Sequence, residues 1–459
     1  MSKPASLSRR DFIKTASAAL TIPAAAAGSF RTTTEASVAA GPTIVPSRVV
    51  TGRIRPNDTL SFGCIGVGRQ GTGDMQELIY RGLEAGARVV AVCDADAHRR
   101  DNAQWTAEKI YAAELGATGY KGIDVYADFR ELLARPDIDG VLIVTPDHWH
   151  ACHAIAAAAA GKDIYLEKPL TYTIAEGRKL VEAVRRNKRI FQTGSQQRSS
   201  VYFRVAAEAV RNGRIGKLRT IKVLLPIDQG TGDPKVVPVP RFLDYNAWQG
   251  PAAEMPYSVD RVHPANSLDR PGWLQIERYS RGMITGWGSH MIDSAQWGHG
   301  TDDTGPVTIE AKGEFPDRGL FDVHTTFKGQ AVFADGVTMD METGEAGVRF
   351  EGDAGWVYAD RGKVQASDPE LLRAKPGAGE VKLPVSGNHM KDFLEAMRTR
   401  KDPIAPVEVG HRSNSICVLT HIAMKLGRKL RWGAKAERFI DDAEADRWLD
   451  VPHRAPWTL

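Results

Sequence analysis

The stretch Gly66-Val67-Gly68-Arg69-Gln70-Gly71 constrains the fold of this chain more than any other. It ends an apolar run, "LSFGCIG" from Leu60 to Gly66, and opens a segment whose Met75, Leu78, Ile79 and Gly82 fall at i, i+3, i+4 and i+7. A strand, a glycine turn and an amphipathic helix in that order form the start of a dinucleotide-binding fold. Gly66 permits the tight turn, Gly68 lets backbone approach a pyrophosphate, and Gly71 lets the helix pack close to the strand. Arg69 and Gln70 stand between these glycines, where the free N–H groups of the helix start favour negative charge. Asp94 closes the next apolar run, "ARVVAVCDAD", and a carboxylate there accepts from ribose hydroxyls. It favours NAD, because a 2′-phosphate would meet repulsion. His98, Arg99 and Arg100 follow it and leave NADP open.

The same alternation continues through "GVLIVTP" (140–146), an Ala-rich helix, "KDIYLEKP" (162–169), a helix from Ile174 to Asn187, and "RIFQTG". Strand and helix at this spacing predict right-handed crossovers and a parallel sheet. After about Ser195 the rhythm changes to strands joined by turns: "TIKVLLPI", "VTIEAKGEF", "FDVHTTFKG", "AVFADGVTMDM" and "GVRFEGDAGWVYAD". The expected class is α/β, a Rossmann dinucleotide-binding domain over 59–195 followed by a C-terminal α+β domain over 196–459. The second domain carries a large, mainly antiparallel open sheet for substrate and oligomerisation. Helices over 389–398 and 412–427 cover that sheet or bridge to the first domain. The stretch 228–285, rich in Pro, Arg, Trp and Tyr, is longer than a compact domain usually leaves irregular, and is read as functional.

Near the start, "SRRDFIK" precedes a mild apolar stretch, Thr15 to Phe30, broken by Pro23 and too short to span a bilayer. Basic residues, a weak apolar region and small residues form an export signal, and Arg9-Arg10 with Phe12 and Lys14 resembles the twin-arginine version. Residues 1–40 are read as that signal and 41–58 as an extended arm. The expected location is the periplasm, reached through the twin-arginine machinery, with no membrane anchor after processing. The net charge of +4 over 459 residues, without Lys/Arg runs interleaved with aromatics, argues against nucleic acid. Cys64, Cys93, Cys152 and Cys417 lie in apolar runs without C-x-x-C spacing and read as buried thiols. His148, His150 and His153 lack a metal-binding spacing, so no metal is expected.

"YLEKPLTYT" places Glu167, Lys168 and Pro169 at the carboxyl end of a parallel strand, the ligand-binding edge of such sheets. Together with the glycine turn, "TPDHWHA" after the fourth strand and a later "WGSHMID", it makes the chain resemble the Gfo/Idh/MocA family of sugar and inositol oxidoreductases. The resemblance implies a nucleotide-binding domain followed by an α/β domain whose open sheet often joins subunits, here as a homodimer or tetramer. It places Thr145, Pro146, His150, Glu167 and Lys168 beside the nicotinamide. It also implies that Lys168 works with a histidine of the second domain. Oxidation of an alcohol requires a base for the hydroxyl proton while hydride leaves carbon for nicotinamide. Lys168 fits the base, His290 the second group, and Asp293 the residue that orients His290.

The sequence departs from the family where many members carry an aspartate four residues before this histidine: here the position is Gly286. Another group must then hold the substrate. The candidates are His148, Arg198, Asp260, Arg261, His263, Arg278 and Tyr279, with Gln197 in cofactor or crossover packing. Trp248, Trp273 and Tyr279 are candidates to stack on a sugar ring. The leading expectation is an exported NAD(P)-dependent oxidoreductase that acts on a sugar, glycoside or cyclitol and holds its cofactor tightly. The alternatives are an NAD-dependent glycosidase that oxidises, eliminates and reduces within one turnover, and a non-catalytic sugar- or dinucleotide-binding protein.

Overall fold

The computed structural model describes residues 59–263, 272–373 and 376–459. The expected signal and arm lie outside these residues. Six strands build the first sheet: β1 (Leu60–Ile65), β2 (Ala87–Cys93), β3 (Asp124–Tyr126), β4 (Gly140–Ile143), β5 (Asp163–Leu166) and β6 (Phe191–Thr193). All neighbours run parallel, in the order β3-β2-β1-β4-β5-β6. β4 and β5 are buried at every position, as a sheet covered on both faces requires. The covering helices include α1 (Arg69–Ala85), α2 (Ala97–Leu115), α3 (His150–Ala159) and α4 (Ile174–Arg186). On α1 the expected face is the buried one: Met75, Leu78, Ile79 and Gly82. α4 opens with a reciprocal capping box between Thr173 and Glu176. The strand order reverses between β1 and β4, and the crevice opens there at the carboxyl ends.

After α5 (Val201–Arg211), a second sheet has the order β13-β12-β11-β7-β10-β9-β8-β14-β15. Its strands are β7 (Leu218–Leu225), β8 (Thr308–Glu314), β9 (Thr326–Val332), β10 (Thr338–Thr343), β11 (Gly347–Gly352), β12 (Gly355–Ala359), β13 (Val364–Ala366), β14 (Leu430–Gly433) and β15 (Arg438–Phe439). Pairing is antiparallel except between β7 and β10. β7 enters from the first domain and takes a central place, so the later hairpins assemble on both of its edges. The expected turns are present between β9 and β10, with Gly336 at φ +85°, and between β11 and β12. "FDVHTTFKG" becomes strand only from Thr326. α6 (Gly288–His299) and α8 (Val407–Leu426) pack beneath the sheet, joining Met291, Ile292, Ile416 and Leu419 to Ile221, Val223, Ile309 and Met341 in one core.

The two domains share their interior. α7 (His389–Thr399) lies on α1 and inserts Met390, Phe393, Leu394 and Met397 among Phe62, Met75 and Tyr165 of the first domain. The segment 228–285, outside 264–271, forms an apolar cluster of its own around Leu243, Tyr245, Trp248, Tyr257, Val262, Ile276 and Tyr279. The four cysteines are buried and unpaired. No helix among the described residues is long and apolar enough to cross a membrane.

Candidate functional site

The glycine turn has the shape of a phosphate cradle. Gly66 has φ +80°, and a Cβ on Gly71 would stand 1.9 Å from the Gly66 carbonyl oxygen, so the turn closes only around glycines. Gly68 caps α1 without any side-chain hydrogen bond, and a helix start of this kind favours an anion. Asp94 holds the turn from below, accepting from the backbone N–H of Val67 at 2.9 Å and of Asp96 at 3.0 Å. Burial raises its pKa, with Arg99 and these two donors pulling the other way. The cleft beyond the turn, about 340 Å³, is lined by Gly66, Gly68, Arg69, Gln70, Gly71, Asp94, Thr145 and Pro146, and from the far side by Asn246, Ala247 and Trp457. These residues fit a dinucleotide.

The far wall is fastened by Arg454, whose guanidinium donates to the Gly250 carbonyl at 2.9 Å and to Asn246 Oδ1 and Glu254 Oε1 at 2.7 Å. Trp457 then lies edge-to-face on Trp149, 4.7 Å between centroids, with the Arg130 guanidinium 5.5 Å above its ring. Its buried indole N–H has no partner among the described residues.

Beside this cleft a second hollow, about 680 Å³, is lined by Lys168 and His290, with Asp74, Asp147, Glu167, Gln197, Trp273, Gly286, Trp287 and Arg361 around them. β5 delivers Lys168 and α6 delivers His290, so one group comes from each domain. The peptide between Lys168 and Pro169 is cis. Burial lowers the His290 pKa well below its usual value, and Lys168 and Arg361 push the same way, which keeps the imidazole neutral. Its Nδ1 is buried without a partner among the described residues. Burial pushes Asp147 up to about 7 against the pull of the Ser280 hydroxyl and Lys168. Glu167 is also raised by burial, although Lys168 and Gln196 draw it down, and Asp74 is raised by burial and by Glu167. The pocket is therefore ringed by carboxyl groups that hold protons easily.

His150 takes a different place from the nicotinamide contact expected. Its ring nitrogens lie 2.6 Å from the Pro169 carbonyl oxygen and 2.8 Å from that of Thr145, tying the "TPD" and "EKP" loops together. Asp293 does not orient His290. It faces Arg198 and also accepts from the Ser413 hydroxyl at 2.8 Å. Arg198 is 2% exposed and held by Asp293 and Asp302, so it is structural and away from the Lys168 pocket. Arg261 is buried against Tyr279, and Tyr279 and Trp248 are core residues, because aromatics rich in apolar area are drawn into the nearest interior. Asp260 accepts from the Asp233 N–H, and His263 lies 2.6 Å from Asp96 at the outer edge of the glycine turn. His148 and Arg278 line a separate cavity of about 300 Å³ with Glu277, Arg281 and Asp322. Of the ring-stacking candidates, Trp273 alone reaches the Lys168 pocket.

Asp74, Asp147, Gln196, Trp287 and Arg361 line the pocket without having been marked in the sequence. Asp147 lies inside the "TPDHWHA" motif and Asp74 four residues after Gln70, from which it accepts at 2.8 Å; both could have been found by position. No group of three metal-ligating side chains occurs among the described residues. Another groove, about 860 Å³, runs over the open sheet among Lys222, Lys312, Lys328, Glu342 and Arg349.

Two family models match: the NAD-binding Rossmann fold of the Gfo/Idh/MocA oxidoreductases over residues 60–195, and their C-terminal alpha/beta domain over 227–459. Among curated proteins, an inositol 2-dehydrogenase of Pseudomonas savastanoi pv. phaseolicola is 33% identical over 161 residues, 34% of this chain and 43% of that protein. Glycosyl hydrolase family 109 protein 2 of Shewanella sp. (strain ANA-3) is 34% identical over 216 residues, 46% of this chain and 44% of that one. The chain thus spans less than half the length of these relatives. Among solved structures, aldose-aldose oxidoreductase of Caulobacter crescentus, complexed with glycerol, has a TM-score of 0.57 at 19% identity, covering 81% of this chain and 99% of that one. WlbA dehydrogenase of Bordetella pertussis, in complex with NADH and UDP-GlcNAcA, has 0.58 at 15% identity, covering 82% and 99%. These two likenesses concern the fold. The matched models take in the whole first sheet, the second sheet apart from β7, and both Lys168 and His290, and the chain belongs to the Gfo/Idh/MocA family of oxidoreductases.

Proposed function

We propose that this protein is an exported oxidoreductase that oxidises a hydroxyl-bearing carbon of a sugar, glycoside or cyclitol with a tightly held nicotinamide dinucleotide. The observation that carries the reading is that Lys168 and His290 line one pocket beside the phosphate cradle. The bound nicotinamide supplies the acceptor for two electrons and a hydrogen from carbon. The chain does the rest. Lys168 takes the hydroxyl proton, neutral His290 holds the oxygen by a hydrogen bond, and Asp147 passes the proton on. Trp273 and Trp287 wall off water and offer apolar surface to a ring. Asp94 supports NAD over NADP through its place at the end of β2.

The experiment is to release the cofactor from purified protein, identify it, and follow nicotinamide reduction with a carbohydrate panel in wild type and Lys168→Met. Reduction that disappears in the variant, by about 10²-fold or more, supports the reading; equal rates sink it. Location is tested by fractionating cells that express the chain with and without Arg9-Arg10 replaced. Self-association over the open sheet is tested by the mass in solution.

A second reading is favoured by the resemblance of 216 residues to the family 109 glycosyl hydrolase. In it oxidation, elimination and reduction occur within one turnover. Release of an aglycone without net change in nicotinamide separates it from the first.

A further inference from the structure

The Lys168 pocket has a cation at its mouth that catalysis does not use. Arg361 stands in the turn between β12 and β13. Asp360 shapes that turn, accepting from the N–H of Gly362 at 2.7 Å and of Lys363 at 2.9 Å and from the Tyr358 hydroxyl at 3.0 Å. Held this way, the Arg361 guanidinium lies 4.5 Å from the centroid of Trp287. Trp287 is the cap of α6, three residues before His290, and its ring lies 5.8 Å from the imidazole between centroids, so the ring, the imidazole and the guanidinium stand side by side.

Stacking on Trp287 takes up one face of the guanidinium and leaves its N–H groups for other acceptors. No carboxylate pairs with Arg361 among the described residues. Glu167 draws on it electrostatically but accepts its own hydrogen bonds from Gln196 and from the Lys168 N–H. Asp360 is taken up by its own turn. Arg361 is exposed at the pocket, stacked on Trp287 and without a carboxylate partner, and such an arginine is a recognition element for a planar anion, because two parallel N–H···O bonds match a carboxylate.

We propose that Arg361 anchors a carboxylate on the substrate, and that the site therefore takes sugar acids such as uronates in preference to neutral sugars. The inference rests on the carbohydrate-oxidation reading of this pocket. A single guanidinium suffices for a monoanion, whereas a phosphate dianion would call for a second cation, and Lys168 is committed to the reacting hydroxyl.

The test is calorimetric titration of NAD-loaded protein with D-glucuronate and D-galacturonate against glucose and galactose, with glucose 6-phosphate as a further arm. It is run in wild type, Arg361→Gln and Arg361→Lys, with cofactor content as the check on folding. The expected result is that a uronate binds at least about tenfold more tightly than its neutral counterpart. Arg361→Gln erases that preference and Arg361→Lys keeps part of it. Four outcomes overturn the proposal: equal affinities, a preference that survives in Arg361→Gln, no binding of either uronate, or glucose 6-phosphate bound in their place. Should Arg361→Gln fail to load NAD, the wild-type comparison alone decides. Failure of the oxidation reading looks different: the uronate preference stands, but the nicotinamide absorbance stays unchanged on binding.

Discussion

Arg198 and Asp293 meet through two hydrogen bonds of 2.8 and 2.9 Å, with neither side chain more than 2% exposed. The pair joins the crossover after β6 to α6, the helix that carries His290, so a buried charge pair sets where that helix sits. Asp293→Asn leaves the guanidinium with Asp302 as its remaining acid. Removing one partner of a buried pair costs about 3 kcal/mol. Chemical denaturation is expected to show that loss, with the bound cofactor retained in protein that stays folded.

Gly286 has room that its neighbours do not fill. A Cβ there would meet only the Met283 Cε, at 3.3 Å, the end of a flexible side chain. Gly286→Asp is expected to fold and to place a carboxylate in the pocket that His290 also lines. It should raise the His290 pKa, now depressed by burial, Lys168 and Arg361. A ring-proton titration by NMR checks this, and an unchanged imidazole would show that the carboxylate points elsewhere.

Stability should depend on pH through buried imidazoles. Burial pushes His148 down to about 3 and His150, His389 and His421 to about 4. The unfolded chain protonates these groups below about 6.5, so it binds more protons than the folded one between pH 6.5 and 4. Their contribution is complete above that window and is lost as the pH falls through it. Asp147, raised by burial to about 7, acts in the opposite sense: its folded form keeps a proton that the unfolded chain gives up near 3.8, so its contribution is lost as the pH rises between those values. Asp74, Asp94 and Glu167, also raised by burial, act in the same sense as Asp147, and each proton counts for about 1.4 kcal/mol per pH unit. Between about pH 6.5 and about pH 5 the denaturation midpoint of Asp147→Asn is expected to fall relative to that of wild type as the pH drops, because one opposing group is gone.

Trp457 closes the outer wall of the dinucleotide cleft against Trp149 and Arg130. Trp457→Ala is expected to speed cofactor release by about tenfold while leaving the melting temperature of the stripped protein within a few degrees. Stopped-flow loss of nicotinamide fluorescence measures the first quantity and a thermal melt the second. A release rate equal to wild type would make the indole simple packing.

The first sheet was legible because its strands are continuous apolar runs and its turns are spelled with glycine. Lys168 and His290 were legible through motifs that sit at the end of a strand and the start of a helix. Arg361 was not, since a lone arginine in a hairpin turn says nothing about the pocket to which the sheet carries it. Nor was the true partner of Asp293: spacing along a helix suggested His290, and the acid instead met a residue from a distant crossover. Tyr279 and Trp248 looked like ring-stacking residues for the same reason that they became core, namely large apolar area in a stretch without periodicity. The centrality of β7 was hidden too, because strand order depends on pairings that local pattern does not encode.

The nucleotide-binding half is finished by residues from far along the chain: Phe393 and Met397 of α7 in its interior, and Trp457 over its cleft. During synthesis the glycine turn leaves the ribosome first, yet one of its domain's two apolar clusters stays unfinished until residue 397 has emerged, and its cleft wall until residue 457 has. A closed cleft for a dinucleotide therefore forms only once residues far beyond the glycine turn have been made.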